Sequence, residues 1–380
     1  MTAPRAELIT DPSALADIEG PWRELAESRS NAFITPEWFH AWWRAQGARH
    51  CEPRISVARR ADGTVAGIVP LVLDRSSWPR TIRFAGASIS DRLHPAAAIA
   101  DEAAVARATM AALDREPDRA SMVLLERTDS DRDWWRQMPS AAANRCTIVE
   151  QRQTMAPYID LSGHDWESYL ASRSHNFRKQ ARRALRRLRR DHSMEIRTCT
   201  EETLPTDLEL LFRLHDLRLR EHGGSSLLPG DRRSLSLFAA RALRRGWLRL
   251  RILEADGSPV AGFLGWRIGR SFASYQGGFD PAWSRQSVGF ALESAMVREA
   301  IDDGAAEYDF LVGTEGWKAR FTTDARRNQT AVILPARSAL RLLVVAEARA
   351  RELAQRLDGR QTLRPVVRTL HALIPTAQRT

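Results

Sequence analysis

The stretch SYQGGFDPAWSRQSVGFALESAMVREAIDDGAAEYDFLVGTEGWKARF, residues 274–321, carries the pattern that decides the fold. It starts at the end of an apolar strand and passes through a Gly-Phe-Asp turn into a segment with helical periodicity over 287–302. A further strand is predicted over 308–311, followed by a short helix over 315–321. The loop therefore leads from a strand end into a helix N-terminus, where free N–H groups and the helix dipole favour a phosphate or pyrophosphate.

The start of this helix has the pattern Gln-x-x-Gly-x-Ala, which makes Gln286, Ser287, Gly289 and Ala291 candidate donor-binding residues. The small side chains of Gly289 and Ala291 allow a ligand to approach the backbone closely. The alternative interpretation is an ordinary connection between a strand and a helix, in which glycine serves packing only.

This pattern resembles the pyrophosphate signature of the GNAT acyltransferases. The whole stretch resembles the acetyltransferase-type domain of the CelD family, in which a Gly-Phe-Asp turn and a Gly-led helix precede Tyr-Asp-Phe-Leu, Gly, an acid and Tyr-Lys. Here Trp317 takes the place of the tyrosine before Lys318. The blocks FITPEWFHAWWRAQG, residues 33–47, and LFRLHDLRLREHGGSS, residues 211–226, extend the resemblance over about residues 30–330.

The resemblance implies an α+β fold with two tandem GNAT-like mixed-sheet domains and a helical C-terminal tail. Both halves of the chain repeat one order of helices, antiparallel hairpins, helix and strand, which fits two copies of one unit. We expect a degenerate N-terminal domain at 1–152, an acyltransferase domain at 153–335, and an Arg-rich tail at 336–380. Fem-type peptidoglycan ligases share this double architecture.

For function, the resemblance implies an N-acyltransferase that uses acetyl-CoA or another acyl-CoA as co-substrate. A small amine or amino sugar is the expected acceptor, in polysaccharide or natural-product assembly. Two alternatives stay open. One is Fem-like transfer of an aminoacyl group from tRNA, and the other is a non-catalytic protein that binds nucleic acid or a membrane surface.

Three residues are candidates for the chemistry. Asp309 is an acid inside an apolar strand, where burial would raise its pKa and suit it to be a general base; the alternative is a hydrogen-bonded structural acid. Tyr275 is a candidate to position or protonate a departing thiolate, and Glu315 to orient Lys318 three residues later on the same helix face. No Ser or Cys nucleophile motif is present, so direct attack by the acceptor is favoured.

Substrate binding is predicted at Lys318, His215 and Asp91. Lys318 is one of only two lysines among 57 basic residues, and a compact ammonium group that is kept in so Arg-rich a chain suggests a site. The first half has no Gly-rich helix start at 88–95, so we expect it to shape the acceptor groove, with Asp91 facing it.

The net charge of +10 is concentrated in two segments. Residues 173–190 hold nine basic and no acidic residues, residues 331–380 carry +6, and the rest of the chain sums to −5. The segment 173–190 has one apolar stripe at helical spacing. It is either a solvated amphipathic helix or a surface for the phosphates of coenzyme A, of tRNA or of an anionic membrane, and the tail is a second candidate for membrane contact.

Cysteine usage and the N-terminus indicate the compartment. The three cysteines, Cys51, Cys146 and Cys199, lie far apart and have no metal-ligand spacing, so no metal is expected. The first 22 residues contain four acids and no apolar core segment, which does not fit a signal peptide. We therefore expect a reduced, cytoplasmic protein.

Overall fold

The computed structural model describes most of the chain. Its described residues are 3–76, 78–116, 121–130, 132–142, 146–222, 227–313, 315–335, 338–346 and 349. They form a mixed α+β structure, which confirms the predicted class. No helix within these ranges is long and apolar enough to cross a membrane.

The strands and helices are numbered in chain order. The strands are β1 Arg5–Ile9, β2 Cys51–Pro53, β3 Ile55–Arg59, β4 Val65–Val69, β5 Leu71–Asp74, β6 Thr81–Phe84, β7 Ala96–Ala97, β8 Met122–Asp129, β9 Cys146–Asp160, β10 Met194–Thr198, β11 Leu248–Ala255, β12 Ser258–Ile268, β13 Ser271–Phe279, β14 Glu307–Asp309 and β15 Ala325–Pro335. The α-helices are α1 Glu19–Ser28, α2 Pro36–Trp42, α3 Ala48–His50, α4 Glu102–Arg115, α5 Asp133–Ala142, α6 Trp166–Ala171, α7 His175–Asp191, α8 Leu204–His222, α9 Pro229–Arg244 and α10 Val288–Asp302.

The chain forms two compact units. The first contains the described residues of 1–29 and 33–154 together with those from 327 onward, and the second contains 30–32 and 155–326. Most of β15 therefore belongs to the first unit, although it follows the second unit in sequence. The domain boundaries predicted from the sequence stay a prediction.

The first unit contains a four-stranded antiparallel sheet in the order β1-β3-β4-β7. Its other strands run in the order β15-β8-β6-β5-β2, in which β6 and β8 are parallel. The aromatic residues of the block at 33–47 belong to its core, because Trp38 and Phe39 on α2 are almost fully buried. Thr35 caps this helix by accepting a hydrogen bond from the Trp38 amide, and Pro36 occupies its first position.

The second unit is built on a mixed sheet in the order β10-β11-β12-β13-β14-β9. The meander β10 to β13 is antiparallel, and β14 then pairs in parallel with β13. Helices α7 and α10 pack on one core with this sheet, and their buried side chains include Phe177, Leu188, Val288 and Val297. This arrangement places the start of α10 beside the end of β13.

Local sequence explains the two helices that matter most for function. Ser174 accepts a hydrogen bond from the Phe177 amide and so begins α7, which buries the stripe that ends at Leu188. In contrast, α10 begins after Ser287, whose left-handed backbone (φ 56°) ends a preceding 3₁₀ helix. In the tail, residues 340–346 and residue 349 are helical. Apart from these and residues 338 and 339, the predicted helical tail lies outside the described residues.

Candidate functional site

The strand β13 is longer than its parallel neighbour β14, so only part of β13 is paired with it. They pair in parallel at three positions that end with Ala273 opposite Asp309. The strand β14 ends at Asp309, and two residues later Leu311 adopts a left-handed conformation with φ 59°. On its other edge β13 stays paired with β12 but shifts register, so that Tyr275 is the extra residue of a bulge. From Ser274 onward the edge of β13 on the side of β14 is not paired with β14, and we call the space at this edge the strand opening.

The loop between β13 and α10 is a short 3₁₀ helix, Pro281–Gln286, rather than a continuous helix start. Asp280 caps it by accepting a hydrogen bond of 2.9 Å from the Ala282 amide. The sequence pattern placed Gln286 at the opening of helix α10, but the helix begins two residues later, at Val288. No side chain among the described residues caps its N-terminus. The N–H groups of its first turn therefore have no intrahelical acceptor and point toward solvent or a ligand.

The four predicted donor-binding residues lie around this helix start, with different environments. Ala291 is fully buried in the core, and a Cβ atom at Gly289 would lie 3.0 Å from the Phe279 ring, a tight contact that a small shift of this ring relieves. Ser287 is half-buried at the left-handed position. The side-chain oxygen Oε1 of Gln286 is buried and accepts no hydrogen bond within the described part of the chain.

A buried carboxyl group, which the sequence analysis did not single out, lies beneath the strand opening. Glu293 on α10 is 9% exposed and accepts a hydrogen bond of 2.9 Å from the hydroxyl of Tyr308 on β14. Burial raises the pKa of Glu293 to about 7, although the hydroxyls of Tyr308 and Ser274 and the positive charges of Lys318 and Arg218 act in the opposite direction. A carboxyl group with such a pKa exchanges protons readily near neutral pH.

Two cations accompany this carboxyl group. Lys318 is buried, and its Nζ lies 2.9 Å from Oε2 of the exposed Glu315 and 3.3 Å from the carbonyl oxygen of Val312. The predicted pairing of Glu315 with Lys318 is thus present, although the helix predicted over 315–321 is only a 3₁₀ turn, Lys318–Arg320. Burial lowers the pKa of Arg218 on α8, against the charges of Glu315 and Glu293.

His215 lies one helical turn before Arg218 and reaches the end of β13. Its Nδ1 is 3.2 Å from the carbonyl oxygen of Gly277. Burial lowers its pKa, so the ring is neutral at pH 7. Helix α8 approaches the strand very closely here, because a Cβ atom at Gly278 would lie 2.2 Å from the His215 amide nitrogen. The absence of a side chain at Gly278 is what allows this contact.

Asp309 and Tyr275, two of the predicted catalytic residues, make contacts that hold the structure together. Asp309 is almost fully buried, and its Oδ1 accepts a hydrogen bond of 2.8 Å from the Leu311 amide while Oδ2 lies 3.8 Å from Nη1 of Arg326. These are the contacts of a structural acid. The half-buried Tyr275 ring packs 4.8 Å from that of Trp266.

Asp91 belongs to the first unit, where its Oδ1 accepts a hydrogen bond of 2.7 Å from Nη1 of Arg127. The structure therefore gathers Lys318 and Glu315 with Glu293, places Gln286 and Ser287 at the start of α10, and assigns Asp91 to a different unit. Within the described residues, no group of His, Cys, Asp and Glu side chains is arranged to hold a metal ion.

Comparison with known proteins identifies this architecture. Residues 175–319 match the family model of the acetyltransferase (GNAT) domain. The crystal structure of FemX has a TM-score of 0.64 at 11% identity, over 86% of this chain and 98% of FemX. A conserved protein from Bacteroides thetaiotaomicron has a TM-score of 0.54 at 13% identity, over 86% of this chain and 99% of that protein.

The structure of L-PGS from Bacillus licheniformis shares the fold with a TM-score of 0.51 at 12% identity, over 90% of this chain and 96% of that chain. No curated protein sequence matches the chain at a significant level. The family match covers the start of α10, the strand opening, Glu293 and Lys318. Residues 175–319 thus match the acetyltransferase (GNAT) domain, and the chain shares the fold of FemX over 86% of its length.

Proposed function

We propose that the second unit is an acyl-CoA-dependent N-acyltransferase that acylates a small amine or amino sugar. The observation that carries this proposal is the buried Glu293, whose pKa burial raises to about 7, on the helix α10 that begins without a side-chain cap and packs beneath the strand opening. A thioester donor fits this arrangement, because its pyrophosphate would lie at the start of α10 and its acyl end in the opening.

Glu293 takes the role of general base that the sequence analysis gave to Asp309. Its carboxylate accepts a proton from the acceptor ammonium, directly or through a water molecule. The free amine nitrogen then attacks the thioester carbonyl carbon, the C–S bond breaks, and the departing coenzyme A thiolate takes up the proton that the nitrogen loses on becoming an amide. Burial raises the pKa of Tyr308 well above its usual value, so its hydroxyl keeps its proton and holds the Glu293 carboxylate in place.

The backbone of β13 supports the same chemistry. Pairing of β13 with β14 ends at Ala273, and we expect backbone N–H groups on this edge beyond that point to stabilise the tetrahedral oxyanion, as fixed N–H donors do. Lys318 and Arg218 bring two positive charges to the same region. We assign them to binding an anionic group of the substrate or of the donor.

A thermal-shift screen tests the donor. Acetyl-CoA and longer acyl-CoAs are expected to raise the melting temperature of the full chain. The variant Gly289→Glu places a carboxylate beside the expected pyrophosphate, whereas Gly289→Gln has nearly the same size and no charge. Both variants bring the same Cβ atom against Phe279. We therefore expect Gly289→Glu, but not Gly289→Gln, to abolish the rise in melting temperature that acyl-CoA causes. Loss of this rise in both variants would mean that packing against Phe279, and not the added charge, is responsible.

The fold shared with FemX supports one second candidate function, the transfer of an aminoacyl group from tRNA. The same screen separates the two donors when charged tRNA is included beside the acyl-CoAs. A shift with charged tRNA and none with any acyl-CoA would replace the proposal with this alternative. A shift with neither class would remove both.

A further inference from the structure

Helix α7 presents one continuous positively charged surface. Its apolar stripe, Phe177, Ala181, Ala184 and Leu188, is buried in the core of the second unit. Between residues 179 and 190, every exposed residue of α7 is a lysine or an arginine. We call this surface the basic face, and it consists of Lys179, Arg182, Arg183, Arg186, Arg187, Arg189 and Arg190.

Acidic neighbours neutralise little of this charge. Arg182 pairs with Glu167 at 2.5 Å, and both Arg187 and Arg190 share Asp191. The other four cations, Lys179, Arg183, Arg186 and Arg189, have no acidic partner in the part of the chain that the structure describes. Because no internal pairing accounts for these charges, they are available to an external anion.

The composition of the basic face defines the kind of anion. No apolar side chain is exposed between residues 179 and 190, so the helix cannot insert a hydrophobic face into a bilayer. No aromatic or amide side chain is exposed there either, and these are the groups that stack on bases or read their edges. A surface of cations alone fits a partner that offers many equivalent phosphates and needs no base recognition, as an anionic lipid surface does.

We propose that the basic face docks the protein on an anionic lipid bilayer by electrostatic attraction alone. Clusters of four to eight Lys and Arg residues on a helix are typical of binding to acidic lipid headgroups. The segment from Lys179 to Arg190 spans roughly 17 Å at 1.5 Å per residue, and its exposed cations lie opposite the buried stripe, so they can meet one flat surface together. Arg guanidinium groups also bind phosphate in a bidentate manner. The proposal does not depend on the acyl donor.

Flotation of the full chain with lipid vesicles tests it. The expected result is binding to phosphatidylcholine vesicles that contain 30% phosphatidylglycerol, no binding to pure phosphatidylcholine, and loss of binding as the salt concentration rises. The variant Arg183→Gln, Arg186→Gln, Arg189→Gln removes three cations without acidic partners and is expected to bind roughly 100-fold more weakly.

A matched control removes the same charge elsewhere in the second unit. Arg213→Gln, Arg233→Gln, Arg244→Gln changes three exposed arginines on α8 and α9 and is expected to bind anionic vesicles almost as well as the unchanged protein. Equal weakening in both variants would show that net charge and not the basic face is responsible. Failure of the unchanged protein to bind anionic vesicles, with binding to RNA homopolymers instead, would also overturn the proposal. Circular dichroism confirms that each variant is folded.

Discussion

The hydroxyl of Tyr308 donates a hydrogen bond of 2.9 Å to Oε1 of Glu293, in the interior of the second unit. This contact ties β14 to α10 next to the position where pairing of β13 with β14 ends. Burial raises the pKa of the carboxyl group to about 7 and that of the phenol well above its usual value. The pair therefore acts as a proton-exchanging acid held by a hydroxyl that does not ionise.

Replacing Glu293 by glutamine is expected to lower kcat by about 10²–10⁴-fold, because the amide keeps the hydrogen-bonding shape and cannot accept the proton. The measurement is release of the coenzyme A thiol from acetyl-CoA in the presence of a mixture of amines and amino sugars. The donor-dependent thermal shift should be retained, since Glu293 does not contact the expected phosphate site.

The variant Asp309→Asn is the comparison, because the sequence pattern favoured Asp309 as the base. Its contacts with the Leu311 amide and Arg326 are structural, so a loss of stability with little change in kcat is expected. A large loss of kcat in this variant, with full activity in Glu293→Gln, would return the role of base to Asp309.

The same pKa links stability to pH. The carboxyl pKa of Glu293 is raised in the folded state from 4.5 to about 7, so below pH 7 the folded state holds its proton more tightly than the unfolded state does. The resulting stabilisation, about 3 kcal/mol, is complete below pH 4.5 and is lost as the pH rises to 7. Urea unfolding at pH 5 and pH 8 checks this.

The control for the pH prediction is again Glu293→Gln. His215 titrates in the opposite sense, because burial lowers its pKa and its neutral form favours the folded state as pH rises. The difference between the unchanged protein and the variant cancels this contribution. Parallel pH profiles of the free energy of unfolding in the two proteins would show that Glu293 does not titrate as described.

Much of the fold was accessible from sequence periodicity and turn chemistry. The antiparallel hairpins and the helix over most of 287–302 follow from local patterns, and the structure contains both. The strand that pairs with β15 could not be predicted in this way. Residues 327–335 group with the first unit through pairing of β15 with β8, a contact between segments about 200 residues apart that no local pattern encodes.

The site was only partly accessible for a related reason. The Glu315–Lys318 pair is local, with a spacing of three residues, and could be read from the sequence. Glu293 was missed because α10 is buried on several sides, including Leu292, Glu293 and Ser294 in succession, so its periodicity does not mark one inner face. An acid within an otherwise apolar helix was the available signal. For Arg218 there was no such signal in the sequence, since arginines are common in this chain.

Gly278 is expected to be essential for packing. An alanine there would place its Cβ atom 2.2 Å from the His215 amide nitrogen, and helix α8 would have to move. We expect Gly278→Ala to lower the free energy of unfolding by about 3 kcal/mol. At the neighbouring Gly277 a Cβ atom meets only the Gly262 carbonyl oxygen at 3.8 Å, so Gly277→Ala should be tolerated. Similar melting temperatures for the two variants would contradict the close approach of α8 to β13.

Lys318 is expected to tune Glu293. Its positive charge opposes the effect of burial on the pKa of Glu293, so Lys318→Met should raise that pKa further and move the acidic limb of the kcat profile to higher pH. Glu315→Gln leaves the ammonium in place and removes only its exposed partner, so the acidic limb should stay or move to lower pH. Rate profiles from pH 5.5 to 9 for both variants provide the measurement. A shift of the same sign in the two variants, or a fall in rate with an unchanged profile, would mean that Lys318 acts only through substrate binding.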